Sequence, residues 1–348
     1  MKLKDRKFII VGGGLAGICV AIQLIRSGAK VTLFDKNENH SSIVAGGIIN
    51  PVVFRRMTKS WRVDDFLPFL KSFYNELEDE TNSKFLHDLP IRRLFSSEQE
   101  RDFWLEKQGN IEFQSYMFKV TEEDMNYDVS LNEFGSGRVN ESYYVDVKSF
   151  IPNSKQWIKE RGEIIDEAFD YSLLKPDSYK EIKFDDIIFC EGFENKNNPW
   201  FGELPLDQTK GQTLTIQSKE LPNNVSLNRK CFVLPLKDQF FKIGSTYEWH
   251  NPTTNITEEA KSELLNNLTY ITKEKVAVVS QEAGIRPTTR DRRPLIGTHP
   301  DYSNYHIFNG LGAKGYMLCP LLSQEFVSYL AGETSLDKEV NILRYFNK

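Results

Sequence analysis

A glycine-rich turn between two apolar runs constrains this chain more than any other stretch. Lys7–Val11 is short, apolar and bounded by charge, and Gly12-Gly13-Gly14-Leu15-Ala16-Gly17 follows at once. An amphipathic stretch with Ala21, Leu24 and Gly28 comes next. A second β-branched run, Val31-Thr32-Leu33-Phe34, ends at Asp35. The order predicts strand, turn, helix and strand, closed by an acid. Each part has a physical task. Gly12 permits the tight turn, Gly14 leaves a pyrophosphate room against the backbone, and Gly17 lets the helix pack close on the strand. The helix N-terminus offers free N–H groups to phosphates. Asp35 can accept hydrogen bonds from a ribose diol. These features together predict a dinucleotide site.

A chain of 348 residues allows one large domain or two, and its 40% hydrophobic content supplies a sizeable core. The net charge of −5 argues against nonspecific nucleic-acid binding as the main activity. Cys19, Cys190, Cys231 and Cys319 are scattered, with no CxxC pair. They read as buried thiols in a reducing cytoplasm. The five histidines show no ligand spacing with them, so no metal site is expected. No signal peptide fits before the first strand, and the apolar run from Tyr316 to Leu330 is too short and too polar to span a bilayer.

Further along, Ala45-Gly46-Gly47-Ile48-Ile49-Asn50-Pro51 is small and glycine-rich, then abruptly apolar. Arg55, Arg56, Lys59 and Arg62 follow, interleaved with Phe54 and Trp61. Phe66, Leu70, Phe73 and Leu77 predict a helix with Asp64 as N-cap and Pro68 in the first turn. Between Ser83 and Arg138, alternating segments such as Ile111-Glu112-Phe113-Gln114 predict antiparallel strands. A helix is expected from Asp146 to Arg161, a strand at Glu163–Ile165, and another through Glu181–Cys190. Thr213–Ile216, Cys231–Leu234 and Phe240–Gly244 predict strands, and Ile256–Thr272 a helix. Strand Tyr305–Asn309 leads into Gly310-Leu311-Gly312-Ala313-Lys314-Gly315 and a long helix. The cofactor-binding layer is thus interrupted twice by a sheet-rich second domain.

These motifs together resemble the D-amino-acid oxidase superfamily of flavoproteins. The similarity is strongest to the glycine oxidase and sarcosine oxidase branch, and to the oxidase domain of the bifunctional enzyme that matures a wobble uridine in tRNA. The opening fingerprint matches at Gly12, Gly14, Gly17, Ala21, Leu24, Gly28, Val31 and Asp35, with Asp35 where many members carry Glu. Ala45–Pro51 resembles the small-residue segment beside the flavin ring. Ile187–Gly192 resembles a strand ending in Ala-x-Gly, with Cys190 for the usual Ala, and Lys210-Gly211-Gln212 the start of a substrate-domain strand. Ala283-Gly284-Ile285-Arg286-Pro287, with Asp291 and Pro294–Gly297, resembles the family's signature for substrate carboxylate binding. Asn309–Tyr316 is similar to the turn that opens the last helix beneath the flavin pyrimidine, with Leu311 for the usual His.

The resemblance implies an α/β fold: a Rossmann-type FAD-binding domain, a parallel sheet with helices, interrupted by a mainly antiparallel α+β substrate domain. Residues 1–80, 142–205 and 283–348 are assigned to the first, 81–141 and 206–282 to the second. FAD contacts are implied at Gly12, Gly14, Leu15, Ala16, Gly17, Asp35 and Lys36. They extend to Ala45, Gly46, Gly47 and Ile48, to Ile165, and to Cys190, Glu191 and Gly192. Gly312, Ala313, Lys314, Gly315 and Tyr316 add the last turn. Arg286 and Lys242 are the implied catalytic residues, Arg286 as a bidentate fork for a carboxylate and Lys242 over the flavin. Ile49 and Tyr247 join Arg286 in substrate binding. Phe232 stands where glycine oxidase-like members often place a tyrosine, and it cannot donate that hydrogen bond.

The implied activity is FAD-dependent oxidation of the C–N bond of an amino acid or secondary amine. Hydride would pass from the substrate α-carbon to flavin N5, with oxygen as the expected acceptor. Three alternatives stand beside it. They are an amine dehydrogenase passing electrons to a quinone, an oxidase acting on a tRNA aminomethyl-uridine, and a flavin- or nucleotide-binding protein without turnover. The expected partner is a small amine or amino acid.

Overall fold

The structure is a computed structural model that describes residues 3–38, 41–120, 130–249, 251 and 253–346. Its first layer is a six-stranded sheet. β1 (Lys7–Val11) and β2 (Lys30–Phe34) lie side by side and parallel, joined by α1 (Leu15–Arg26). Glu163–Ile165 extends the sheet beyond β2. Asp186–Phe189 and Tyr305–Asn309 extend it beyond β1, all parallel. Leu295–Thr298 closes that edge antiparallel. The apolar run of β1 is central and covered on both faces, so Phe8, Ile9, Ile10 and Val11 are all buried.

The second layer is a seven-stranded sheet in the order Ala277–Thr289, Leu206–Gln217, Phe240–Gly244, Cys231–Pro235, Ser226–Arg229, Ile91–Leu94 and Ser136–Val139. Its neighbours are antiparallel except Ser226–Arg229 against Ile91–Leu94. Ala277–Thr289 pairs with Leu206–Gln217 along almost its whole length, and the expected boundary at residue 283 falls inside it.

A core of α1, Val63–Thr81, Val147–Lys159 and the last long helix, Gly315–Leu330, packs together and against the six-stranded sheet. α1 buries Leu15, Ile18, Val20, Ile22 and Leu24, each contributing roughly 1.5–3 kcal/mol. Cys319 of the last helix reaches the Leu15 carbonyl, and Tyr74 donates to the Tyr316 carbonyl at 2.8 Å. All four cysteines are free and buried.

Several expected elements form where the pattern placed them. Glu163–Ile165 and Tyr305–Asn309 match, and Asp146 caps the helix Val147–Lys159 by accepting from the Lys148 and Ser149 amides. The helix expected at Ile256–Thr272 is shorter, Glu258–Leu268, and is capped by Thr257. Other expectations need correction. Ile111–Phe113 is a 3₁₀ turn, because the Asn110 side chain accepts from the Glu112 amide and competes with a ladder. Glu181–Cys190 is two strands. Ile182–Lys183 joins a small sheet with Ser178–Tyr179, and Asp185 then binds the Lys7 amide and turns the chain into Asp186–Phe189. Asp64 is not the N-cap of Val63–Thr81. Arg62 holds that place in the left-handed region (φ 47), while Asp64 binds Lys59 and Tyr116 from the first turn. Pro68 sits in the second turn and removes the hydrogen bond that would reach the Asp64 carbonyl.

A Cβ on Gly17 would lie 1.9 Å from the Gly12 carbonyl oxygen, so α1 cannot sit on β1 with any side chain there. Gly17→Ala is expected to destabilise the fold by about 1–3 kcal/mol through overpacking. A lowered urea midpoint with an unchanged slope is the measurement that checks it.

Candidate cofactor and substrate site

The C-terminal ends of β1, β2 and Asp186–Phe189 open into a cavity of about 560 Å³ whose opposite wall is the seven-stranded sheet. Gly12 (φ 104) turns the chain at its edge, with the Cys190 carbonyl 2.5 Å from where a Cβ would be. A Cβ on Gly14 would meet only Ser42 Oγ, at 3.2 Å. α1 therefore starts with an open backbone and no side-chain cap, its Leu15 amide donating to Ser42 Oγ at 3.0 Å. Asp35 is buried beside this turn, where its carboxylate meets Lys155 and accepts from the Asn37 amide. Lys36 pairs with Glu194 at 2.7 Å and ties β2 to the segment after Cys190. An uncapped helix start, a Cβ-free approach and a buried acid beyond it fit the diphosphate and ribose of FAD.

Gly46 and Gly47 continue the wall. A Cβ on Gly46 would come 3.2 Å from the Phe232 ring, and one on Gly47 (φ 66) 2.1 Å from the Val145 carbonyl. Opposite them, Lys314 donates to the Asn50 carbonyl at 3.1 Å and to Ser60 Oγ. It has no carboxylate partner among the described residues, and burial pulls its ammonium down to about 8. Tyr316 donates to the Ser42 carbonyl at 2.8 Å.

The sheet wall is set by register. Thr213, Gly244, Phe232, Asn228 and Arg93 stand opposite one another on successive strands and so share one face. Arg286 lies on this face at one side. Its guanidinium packs flat on Gly211, where a Cβ would be 2.0 Å from Nη2, and under the Tyr247 ring at 4.6 Å. Nη2 donates to Ser245 Oγ at 2.7 Å. No described carboxylate pairs with it, and burial lowers its pKa against only the weak opposing pull of Tyr247. Nη1 donates to the Thr246 carbonyl at 3.4 Å, and a partly buried planar cation held only by neutral oxygens at a cavity can pair with a carboxylate.

Most of the residues expected from the sequence line this cavity. They are Gly12, Gly14, Leu15, Ala16, Asp35, Lys36, Ala45, Gly46, Gly47 and Ile48, then Cys190, Glu191, Gly192, Tyr247, Arg286 and Gly312 to Tyr316. Four expected residues lie outside its lining. Gly17 serves packing, Ile49 is fully buried, and Ile165 contributes its carbonyl to the Asp35 amide. Lys242 shares the sheet face, but its ammonium is held by Glu282 at 3.2 Å and by the Val44 carbonyl at 3.0 Å. Burial lowers its pKa, with Glu282 opposing. In the basic cluster, Arg62 pairs with Glu325 and Asp65, and Lys59 with Asp64. Arg55 and Arg56 are exposed beside Phe54, itself on the cavity wall.

Sequence reasoning missed Asn228, Ser42 and Lys155, which only the register and helix packing bring to the site. It also missed the state of Glu191. Burial pushes that carboxyl up to about 7, against hydrogen bonds from Tyr171 and Asn198. Among the described residues no cluster suits a metal ion, and no helix is long and apolar enough to cross a membrane.

The family profile described as DAO, FAD dependent oxidoreductase, matches residues 7–135 and 154–328. The tRNA 5-methylaminomethyl-2-thiouridine biosynthesis bifunctional protein MnmC of Campylobacter jejuni subsp. doylei is 22% identical over 315 residues. That match covers 87% of this chain but 48% of the relative, so the chain spans about half the length of these bifunctional relatives. Glycine oxidase of Pseudomonas putida is 22% identical over 372 residues, covering 94% of this chain and 95% of its own. Among solved structures, iminodiacetate oxidase from Chelativorans sp. BNC1 superposes with a TM-score of 0.82 at 16% identity, covering 96% of this chain and 98% of its own. Glycine oxidase from Geobacillus kaustophilus gives 0.81 at 18%, with 95% and 96% covered.

The state of Lys314 has a measurable consequence in the FAD-free protein. Its ammonium loses its proton at about 8 when folded, against 10.5 ordinarily. Between those values the unfolded chain binds more protons, so stability rises with pH across that window and is flat below it. The rise amounts to about 3 kcal/mol. Urea denaturation near pH 7 and near pH 10 is expected to show it in the wild type and to lose it in Lys314→Met.

Proposed function

The chain belongs to the family of FAD-dependent oxidoreductases, and we propose that it oxidises the C–N bond of an amino acid or secondary amine held by its carboxylate on Arg286. The observation that carries this reading is Arg286 itself, a partly buried guanidinium at the cavity without a carboxylate partner among the described residues. FAD supplies the two-electron acceptor. The chain's own residues do the rest. The open start of α1 and Asp35 hold the diphosphate and ribose. Gly46 and Gly47 let the reactive end lie against the backbone. Lys314 compensates negative charge that develops beneath it. Arg286, pressed between Gly211 and Tyr247, fixes the carboxylate and thereby the direction of the neighbouring C–H bond. Phe232 and Phe54 give that end of the cavity apolar walls. The imine product then hydrolyses in water.

Residues 1–80, 142–205 and 283–348 are proposed to carry the cofactor, and 81–141 with 206–282 most of the substrate surface. Arg286 reaches the substrate from the strand that crosses between them. Four buried free thiols support placing the protein in a reducing cytoplasm. Lys242 is proposed to act from beside the cavity, holding the Val44 carbonyl and so the Ala45–Gly47 segment.

A second reading, an oxidase acting on an aminomethyl group of a tRNA uridine, draws on Arg55 and Arg56, which are exposed beside the cavity wall and have no carboxylate partner among the described residues. The net charge of −5 weighs against it. If it holds, tRNA binding at low salt is expected to fall at least tenfold in the Arg55→Ala/Arg56→Ala double variant. Filter binding measures this.

Arg286→Lys keeps the charge and loses the fork, and Arg286→Ala loses both. Either loss should cost about 2–5 kcal/mol, a fall in kcat/KM of roughly 30-fold to several thousand-fold. FAD content should not change. Anaerobic flavin reduction by one amine with a carboxylate and one without it separates the cases. Equal losses for both would show that Arg286 holds the fold rather than the substrate.

A further inference from the structure

Asn228 faces the cavity from the strand Ser226–Arg229, two strands beyond the one that carries Gly244. Its partner across the parallel pair is Arg93. Arg93 Nη1 donates to Asn228 Oδ1 at 2.8 Å and to the Asn228 carbonyl at 3.4 Å. Arginine has no acceptor, so this bond fixes which end of the amide is oxygen. The Asn228 NH₂ is left without a protein partner among the described residues. Arg93 is itself held, by Glu100 at 2.7 Å and by stacking on Phe54 at 5.3 Å. Glu100 neutralises Arg93, so the Asn228 site presents an oriented, uncharged donor.

Arg286 and Asn228 flank the middle of one platform. Between them lie Thr213, whose Oγ1 is buried without a partner among the described residues, and the Phe232 ring, which lies over Gly244 and touches Gly46. Gly46 belongs to the segment where the reacting bond must sit if the flavin end lies along Ala45–Gly47. Polar groups therefore wait on both sides of that bond. Asn228 is three strand spacings, about 14 Å, from the strand Leu206–Gln217, and Arg286 sits over Gly211, about 7 Å along that strand from the row of Thr213, which puts the two anchors about 16 Å apart. A hydrogen-bond length at each end leaves about 10 Å for the ligand. Glycine, with its carboxylate and amine on one carbon, cannot fill this span.

We propose that Asn228 is a specificity-determining residue, selecting a substrate whose N-substituent ends in a hydrogen-bond acceptor. Its carboxylate sits on Arg286, its amine lies near Thr213, and a carbonyl or hydroxyl oxygen at the far end of the N-substituent accepts from Asn228. Arg93 is the positioning residue that orients the amide. This rests on the reading of Arg286 above and adds the group at the far end of the substrate that Asn228 selects.

The test uses the FAD-loaded enzyme and two probe series. N-alkyl glycines of increasing chain length, ending in either methyl or carboxamide, are compared by anaerobic flavin reduction. The matching alkylthioacetates, which have no amine to oxidise, are compared by dissociation constants from flavin difference spectra. The carboxamide series should outperform the methyl series by at least tenfold at the best chain length, in both kcat/KM and binding. Asn228→Ala should reduce that ratio at least tenfold, and Arg93→Met should reduce it as well. Asn228→Asp, similar in size and still facing Arg93, turns an acceptor to the cavity and should reverse the preference toward chains ending in an amine. A carboxamide-to-methyl ratio that is the same in wild type and Asn228→Ala overturns the assignment of Asn228, while a surviving requirement for the α-carboxylate leaves the Arg286 reading intact. Loss of that requirement in the wild type overturns both.

Discussion

The close approach of three backbone segments at the end of β1 governs the rest of the structure. The Gly12 carbonyl faces Gly17 on α1, and the Cys190 carbonyl faces Gly12 from the next strand. Neither approach tolerates a Cβ. Because α1 sits that close, its N-terminus aims its free amides at the space beyond the sheet, and its far face is left to pack on the last helix. The last helix in turn places Lys314 at its own start, within reach of the Asn50 carbonyl. One packing contact thereby sets the distance between the diphosphate end and the opposite wall of the cavity.

The electrostatics of the site divide along a clear line. Cations that serve structure are matched by acids: Lys36 by Glu194, Lys242 by Glu282, Arg93 by Glu100 and Arg62 by Glu325. Arg286 and Lys314 are partly buried at the cavity and, among the described residues, matched by neutral oxygens only. Burying an unmatched charge is costly, and burial lowers the pKa of both. Their cost is offset only when anionic groups bind, which ties the strain in this part of the protein to occupancy of the cavity. Glu191 adds the complementary case, a buried acid raised to about 7 close to the phosphate turn, where a second negative charge would oppose the diphosphate.

Much of this was legible in the sequence because the cofactor end is built from consecutive residues. A strand, a turn and a helix in one stretch have a fixed spatial relation, so Gly12 to Asp35 could be read without tertiary knowledge. The same holds for Gly312 to Tyr316 at the entrance to the last helix. The substrate wall was less legible because it is assembled across strands. Arg93, Asn228, Phe232, Gly244 and Thr213 come together only through sheet register, which no local pattern encodes. Lys242 shows the limit directly. Its position in the strand was readable, but the ion pair with Glu282 that draws it out of the cavity lining was not. Ile111–Phe113 failed for a local reason, since alternation over four residues is weaker than one Asn cap.

The departures from the family pattern follow one direction on the substrate side. Leu311 stands for a histidine and Phe232 for a tyrosine, and both face the cavity. Each change removes a hydrogen-bonding group close to where the reacting carbon must lie. A small polar substrate would lose contacts from both changes. A longer one would not, because its polar ends lie beyond Phe232 on either side, at Arg286 and Asn228. An apolar centre with polar flanks also keeps water from the reacting bond, where an imine formed early would hydrolyse before the product could leave. The sheet thus acts as a ruler. Strand spacing sets the separation of the two anchors, and a side chain fixed by register cannot shorten it without breaking the ladder. On the proposed reading of Arg286 and Asn228, specificity for substrate length is as rigid as the sheet itself.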